Sequence, residues 1–234
     1  MTASALTQVN EQIIDCTRCP RLVAWRERAA ANPPRRFSGQ RYWARPLPGF
    51  GDPAAAVLVV GLAPAAHGGN RTGRIFTGDR SGDFLFAALH STGFANQPTS
   101  THPGDGLVLD GLYVAAVNRC APPANLPTPD ERANCRPYLV AEVAALERLR
   151  VIVCLGAVAW QGALLALADL GHVRSPRPAF GHSAEATVGG YLLIGCFHPS
   201  QQNTFTGRLT QPMMVEVFER AARFGRRPAD HERG

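Results

Sequence analysis

The chain has 234 residues, 45% of them hydrophobic, enough for a sizeable core in one large domain or two small ones. No apolar run approaches the roughly 18 residues of a membrane-spanning helix, so no membrane span is expected. The formal charge of +6 and pI of about 9.4 suit an anionic partner such as nucleic acid. All 24 basic residues are arginine, so Schiff-base catalysis by a lysine side chain is excluded. The N-terminus lacks the basic and apolar pattern of a signal peptide, and a cytoplasmic, nucleoid-associated protein is expected. In that setting the six cysteines, with one C-x-x-C, read as metal or redox ligands and not as a disulfide framework.

Residues 4–15 form an amphipathic helix with Leu6, Val9 and Ile13 on one face, running into Cys16-Thr-Arg-Cys19-Pro. Residues 18–45 hold eight arginines against one acid, Glu27, and are punctuated by Trp25, Phe37, Tyr42 and Trp43. Such a stretch fits a nucleic-acid surface, and equally an arm that packs its aromatics on the body. Val57 to Val60 is an apolar strand that stops at Gly61. A loop rich in Gly and Thr follows, carrying His67, Asn70, Arg71, Arg74, Phe76 and Asp79. Ser81 reads as the N-cap of a helix with Phe84, Leu85, Ala88 and Leu89 on one face. Residues 92–111 read as a loop, and Leu112 to Val117 as a second strand ending in Asn118-Arg119-Cys120. Thr128-Pro-Asp-Glu131 is a capping box with Pro at the first helical position, opening a helix to about Arg150 with Cys135 in its second turn.

A third strand spans 151–155 and an apolar helix 157–169. A hairpin from Ala184 leads into a fourth core strand that ends in His198-Pro-Ser. The last helix starts near Thr210 and packs Met214, Val217, Phe218 and Ala221. Residues 226–234 read as a disordered basic tail. The pattern implies a single α/β domain over residues 1–225, a three-layer α/β/α sandwich around a central, mostly parallel four-stranded sheet. Three of its strand ends then aim polar residues at one sheet edge, where open α/β sheets bind ligands. Those residues are the long loop, Asn118 and His198. Cys16, Cys19, Cys120 and Cys135 form two pairs that suit a [4Fe–4S] cluster or a structural zinc, whereas Cys154 and Cys196 fall in core strands.

The stretches GLAPAAHGGNRTGRIFTGD and HPSQQNTFTGRLT resemble the two signature motifs of the family 5 (type b) uracil-DNA glycosylases, and the likeness covers roughly residues 12–224. The four cysteines match that family's iron–sulfur ligands, so the resemblance implies a [4Fe–4S] cluster on Cys16, Cys19, Cys120 and Cys135. It also implies a monofunctional enzyme acting on DNA that holds uracil or another deaminated or damaged base, such as hypoxanthine, and a monomer is expected. The enzyme would cleave the N-glycosidic bond and leave an abasic site for base excision repair.

A glycosylase must take the base out of the stack and stabilise charge as the bond breaks. On this reading Gly61, Leu62, Ala63, Phe76, Asn118 and His198 bind the base. Phe76 stacks on it, Asn118 reads its pairing edge and His198 donates to O2. Asp79 orients or activates the attacking water. Ser200, Gln201, Gln202, Asn203 and Arg208 contact DNA. The wider superfamily often places a carboxylate or Asn just after the opening Gly of the first motif, where this chain has Leu62 and Ala63. That departure supports a rival, a noncatalytic iron–sulfur DNA-binding protein with a decayed site. A nucleotide-binding oxidoreductase or transferase is the other rival, and it lacks a GxGxxG or P-loop after the first strand.

Overall fold

A computed structural model describes residues 5–225; the tail expected at 226–234 lies outside the described residues. In chain order the elements are α1 (Ala5–Ile14), α2 (Pro20–Ala31), β1 (Phe50–Gly51), β2 (Val57–Gly61), α3 (Gly69–Thr72) and α4 (Arg80–Ser91). Then come β3 (Leu112–Ala116), α5 (Pro129–Ala145), β4 (Val151–Leu155) and α6 (Ala157–Asp169). The chain closes with β5 (Glu185–Val188), β6 (Tyr191–Cys196), α7 (Gln201–Phe205) and α8 (Gln211–Gly225).

The sheet order is β1-β3-β2-β4-β6-β5. The four expected core strands are all parallel: β2 pairs with β3 and β4, and β4 with β6. Every residue of β2, β3 and β4 is buried, which is why they read as continuous apolar runs and not as alternating ones. Two antiparallel edge strands extend the sheet to six. One is β5, the first arm of the expected hairpin. The other is β1, whose two residues are too few to show any periodicity. Helices α4 and α8 bury their apolar faces on one side of the sheet with Leu85, Leu89, Met214 and Phe218. Helices α5 and α6 cover the other with Leu139, Val143, Trp160 and Leu167.

Three local features differ from the sequence reading. The cap of α4 is Asp79 and not Ser81: the Asp79 carboxylate accepts from the N–H of Gly82 at 3.0 Å. The basic stretch contains a helix, α2, with Pro20 at its start and Leu22, Arg26 and Ala29 buried. Helix α5 does open with the full capping box of Thr128 and Glu131, but it stops at Ala145.

One ion pair is sealed inside the fold. The side chains of Arg119, just after β3, and Glu142 of α5 are 1% and 0% exposed and joined by a hydrogen bond. Such a pair contributes little relative to an apolar filling, yet removing one partner strands a buried charge at a cost of about 3–5 kcal/mol. Glu142→Ala is therefore expected to lower the unfolding free energy by about that much in urea titrations. Glu185→Ala, which breaks the exposed pair with Arg220, should leave stability nearly unchanged.

Candidate active site

The carboxyl ends of the core strands open into a cavity of about 550 Å³. Its walls are Gly61 to Ala65 at the end of β2, Phe76 and Asp79 from the long loop, Ala116 at the end of β3, Asn125, and His198, Ser200, Gln201 and Gln202 after β6. Of the expected base-binding residues, Gly61, Leu62, Ala63, Phe76 and His198 therefore meet at one place. Phe76 takes a left-handed backbone, φ 53°, which is costly for an aromatic residue and needs support on both sides. Below it, a methyl group built on Gly61 would stand 2.7 Å from the phenyl Cζ. Above it, a methyl group on Gly82 of α4 would stand 1.9 Å from the Phe76 carbonyl oxygen. Both glycines are thus fixed by packing, and the ring is held 6.1 Å from the imidazole of His198, centroid to centroid.

Asp79 serves two structures at once. Its Oδ1 caps α4, and its Oδ2 lies so close to Gly68 that a Cβ there would be 2.1 Å away. Burial raises its pKa; the N–H groups of Gly82 and Ser81 oppose this, the negative charge of Asp83 adds to it, and the positive charge of Arg71 opposes it. Asp83 is exposed in the first turn of α4, where it complements the helix dipole, and does not line the cavity. His198 is pushed down to about 4 by burial, so its ring is neutral near pH 7 and has one N–H to donate. Its carbonyl is held by the N–H of Ser200 at 2.8 Å and the side-chain amide of Asn203 at 2.8 Å.

Asn118 is a correction. It is fully buried, its amide donates to the carbonyl of Glu131 at 3.0 Å, and it does not line the cavity. It fastens the end of β3 to the start of α5. The asparagine that does line the cavity is Asn125, on the loop between them. Ala124 and Asn125 both have positive φ, 53° and 58°. An Asn between prolines is a residue that tolerates such a bend, and that was the available signal.

The segment after His198 divides in the same way. Ser200 caps α7 by accepting from the N–H of Asn203, so Ser200 and Asn203 hold the loop together. Gln201, Gln202 and Arg208 are exposed, the last with its guanidinium 4.6 Å above the Phe197 ring. Phe205 at the end of α7 was missed: it is 66% exposed, with Arg80 of the cavity rim 5.1 Å over its ring.

Cys16, Cys19, Cys120 and Cys135, brought together from the turn after α1, the N-cap of α2, the loop after β3 and α5, line one small cavity. Three of the sulfurs accept N–H donors: Cys120 from Arg26 at 3.2 Å, Cys135 from the backbone of Arg119 at 3.3 Å, and Cys19 from Asn134 at 3.8 Å. Among the described residues no group of three or more His, Cys, Asp or Glu is arranged to hold a metal ion. Burial, with a smaller push from the neighbouring cysteines, outweighs Arg26 and Arg119 and drives the Cys120 and Cys135 thiols up to about 11 and about 12. Cys154 and Cys196 are buried in β4 and β6, as expected.

The sequence profile of the uracil DNA glycosylase superfamily matches residues 48–222. The chain belongs to that superfamily. It is 50% identical over 221 residues to a type-5 uracil-DNA glycosylase of Mycobacterium bovis, covering 94% of this chain and 81% of the relative. Type-5 relatives in Thermus thermophilus and Pyrobaculum aerophilum are 50% and 44% identical, covering 89% and 90% of this chain and 93% and 89% of those proteins. Likeness to type-4 enzymes is lower, 29% over 177 residues for that of Thermotoga maritima. The type-5 family is thus the one to which the two motifs pointed. Among the described residues no helix is long and apolar enough to cross a membrane.

The neutral state of His198 is open to direct measurement. Its ordinary value is 6.5, so an unfolded chain takes up a proton there that the folded chain refuses until about pH 4. Stability is accordingly expected to fall as pH drops from 6.5 toward 4, and His198→Gln should remove that part of the slope. Imidazole ¹⁵N shifts should place the midpoint near 4; a midpoint near 6.5 would show an open, hydrated ring.

Proposed function

We propose that the chain is a monofunctional uracil-DNA glycosylase of base excision repair. It flips the base from DNA and hydrolyses the N-glycosidic bond to leave an abasic site. One observation carries this reading: Asp79, Phe76, Asn125 and His198, drawn from three separate loops, line a single cavity at the sheet edge. The flipped ring stacks against Phe76, held firm by Gly61 and Gly82. Asn125 has both a donor and an acceptor for the pairing edge. His198, neutral, donates to the oxygen on which charge develops as the bond breaks. Asp79, ionised, orients water toward C1′ or stabilises the cationic sugar. The carboxylate missing after Gly61 is thus supplied from the far end of the same loop, which weighs against a decayed site. Because the chain has no lysine, no side-chain Schiff base forms and the abasic strand stays unbroken.

The substrate range extends, on this proposal, to hypoxanthine and other damaged bases, because an exposed Asn125 is a looser reader than a buried amide. Gln201 and Gln202, exposed at the cavity, and Arg208, exposed over Phe197, contact the DNA around the flipped base, with Phe205 exposed at the end of α7.

The four cysteines fit a [4Fe–4S] cluster by donor chemistry: four thiols on one cavity, with N–H groups aimed at three of the sulfurs. Bound there, the cluster supplies a covalent tie between the N-terminal helices and the loop after β3.

Release of free uracil from a uracil-containing oligonucleotide tests the reading. In single-turnover kinetics Asp79→Ala should lose a factor of about 10² or more while still binding lesion DNA, and His198→Ala about 10² to 10³. Asp83→Ala should keep its rate. If Asp83→Ala loses activity and Asp79→Ala keeps it, the two roles are exchanged.

Protein purified without oxygen should be brown and contain about four irons, as a cluster of this type requires. Stoichiometric zinc without iron would replace the cluster by a structural zinc.

A further inference from the structure

Arg71 lies on α3 in the middle of the catalytic loop, yet no carboxylate pairs with it among the described residues. Its guanidinium is spent on backbone instead. Nε donates to the carbonyl of His67 at 2.8 Å and Nη2 to the carbonyl of Gly78 at 3.0 Å. These are the peptides that lead into Gly68 and Asp79, the two residues whose atoms touch at the carboxylate. One planar group therefore spans both sides of that contact. The fit is close, since a methyl group on Gly78 would stand 2.5 Å from Nη2.

The N-terminal arm holds the guanidinium from outside. Gln40 accepts from Nη1 at 3.0 Å, and the ring of Phe37 lies 4.2 Å beneath. The N–H groups of Trp43 and Ala44 bond to the carbonyls of Arg71 and Asn70, each at 3.0 Å, so the arm also grips the backbone of α3. Among the described residues, the contacts on the carboxylate from the α4 side are those of the cap itself.

Building on the glycosylase reading above, we propose that Arg71 is a positioning residue for the reaction. Its fork, seated on Phe37 and Gln40, sets the Asp79 carboxylate in the cavity. The basic-aromatic arm is then part of the catalytic machinery without touching the substrate. The charges that bear on Asp79 are Arg71, which favours ionisation, and Asp83, which opposes it. Arg80 and His198 share the cavity wall, and His198 is neutral there. Removing Arg71 therefore makes the carboxylate easier to protonate, and the acid limb of the rate profile moves to higher pH.

The test uses the full chain. Single-turnover uracil release is followed against pH for wild type, Arg71→Gln, Arg71→Lys and Phe37→Leu, and the Asp79 carboxyl is titrated by ¹³C NMR in DNA-free protein. Arg71→Gln should lower the plateau rate by about tenfold or more and raise the Asp79 midpoint, with affinity for lesion DNA within about threefold. Arg71→Lys keeps a charge but not the fork, so it should restore the midpoint and not the plateau. Phe37→Leu, which leaves the loop sequence intact, should shift both in the direction of Arg71→Gln by a smaller amount. An unchanged Asp79 titration in Arg71→Gln would overturn the proposal, as would a loss confined to DNA affinity, which would make Arg71 a phosphate ligand. If wild type releases no uracil, the glycosylase reading fails on its own, and the titration still decides whether Arg71 governs Asp79.

Discussion

The site depends on one contact, the phenyl ring of Phe76 resting on Gly61. The strand end is buried, so the long loop must fold back over it, and it does so by turning Phe76 into a left-handed conformation. That turn is unfavourable by itself and persists because α4 starts immediately above it, with Gly82 against the Phe76 carbonyl. The cap of α4 is Asp79. The packing that seats the ring therefore also delivers the carboxylate, and the two ends of the first motif are set by the same few atoms.

Burial then acts on the two ionisable groups in opposite senses. It raises Asp79 and lowers His198, so each is driven toward its neutral form. On the proposed mechanism that outcome suits His198, because a neutral ring still has one N–H to donate to a developing anion. For Asp79 it is not, because the water-orienting role proposed for it needs the anion. The chain answers with fixed donors, the N–H groups at the start of α4, and with the positive charge of Arg71. A helix N-terminus is suited to this, since its unpaired N–H groups and dipole already favour an anion.

Much of this was legible in the sequence. Buried parallel strands announce themselves as short apolar runs, and the polar residues after three of them converge because parallel strands end on one edge. The capping box at Thr128 was readable to the residue. What was not legible follows from its physics. Strand β1 has two residues and no period. Asn118 and Asn125 sit seven positions apart on one loop with the same side chain, and only the tertiary fold decides which is spent on the Glu131 carbonyl and which is left for the cavity. Ser81 and Asp79 are both good caps, and choosing Ser81 hid the double use of Asp79. The aromatic arm was ambiguous for a similar reason: Phe37, Tyr42 and Trp43 pack on the loop, while Arg35, Arg36 and Arg41 stay exposed, so one segment does both things.

The cysteine site and the catalytic loop are joined by short links. Arg26 donates to Cys120 through its side chain and accepts from the amide of Asn70 through its carbonyl, so one residue of α2 contacts both. Leu47 bonds to the Arg119 carbonyl beside the cysteines, while its side chain packs against Gly69 of the loop. A loop as long as residues 62–79, with only a one-turn helix inside it, has few buried apolar side chains of its own to hold its shape. Its rigidity must come from neighbours, and the neighbours are α2 and the arm. These in turn pack around the cavity lined by Cys16, Cys19, Cys120 and Cys135. On that chain of contacts, the cysteines lie far from the chemistry in sequence but one or two residues from it in mechanical terms. The segment that follows Cys16 and Cys19 is the one that supplies Phe37 and Gln40 to Arg71.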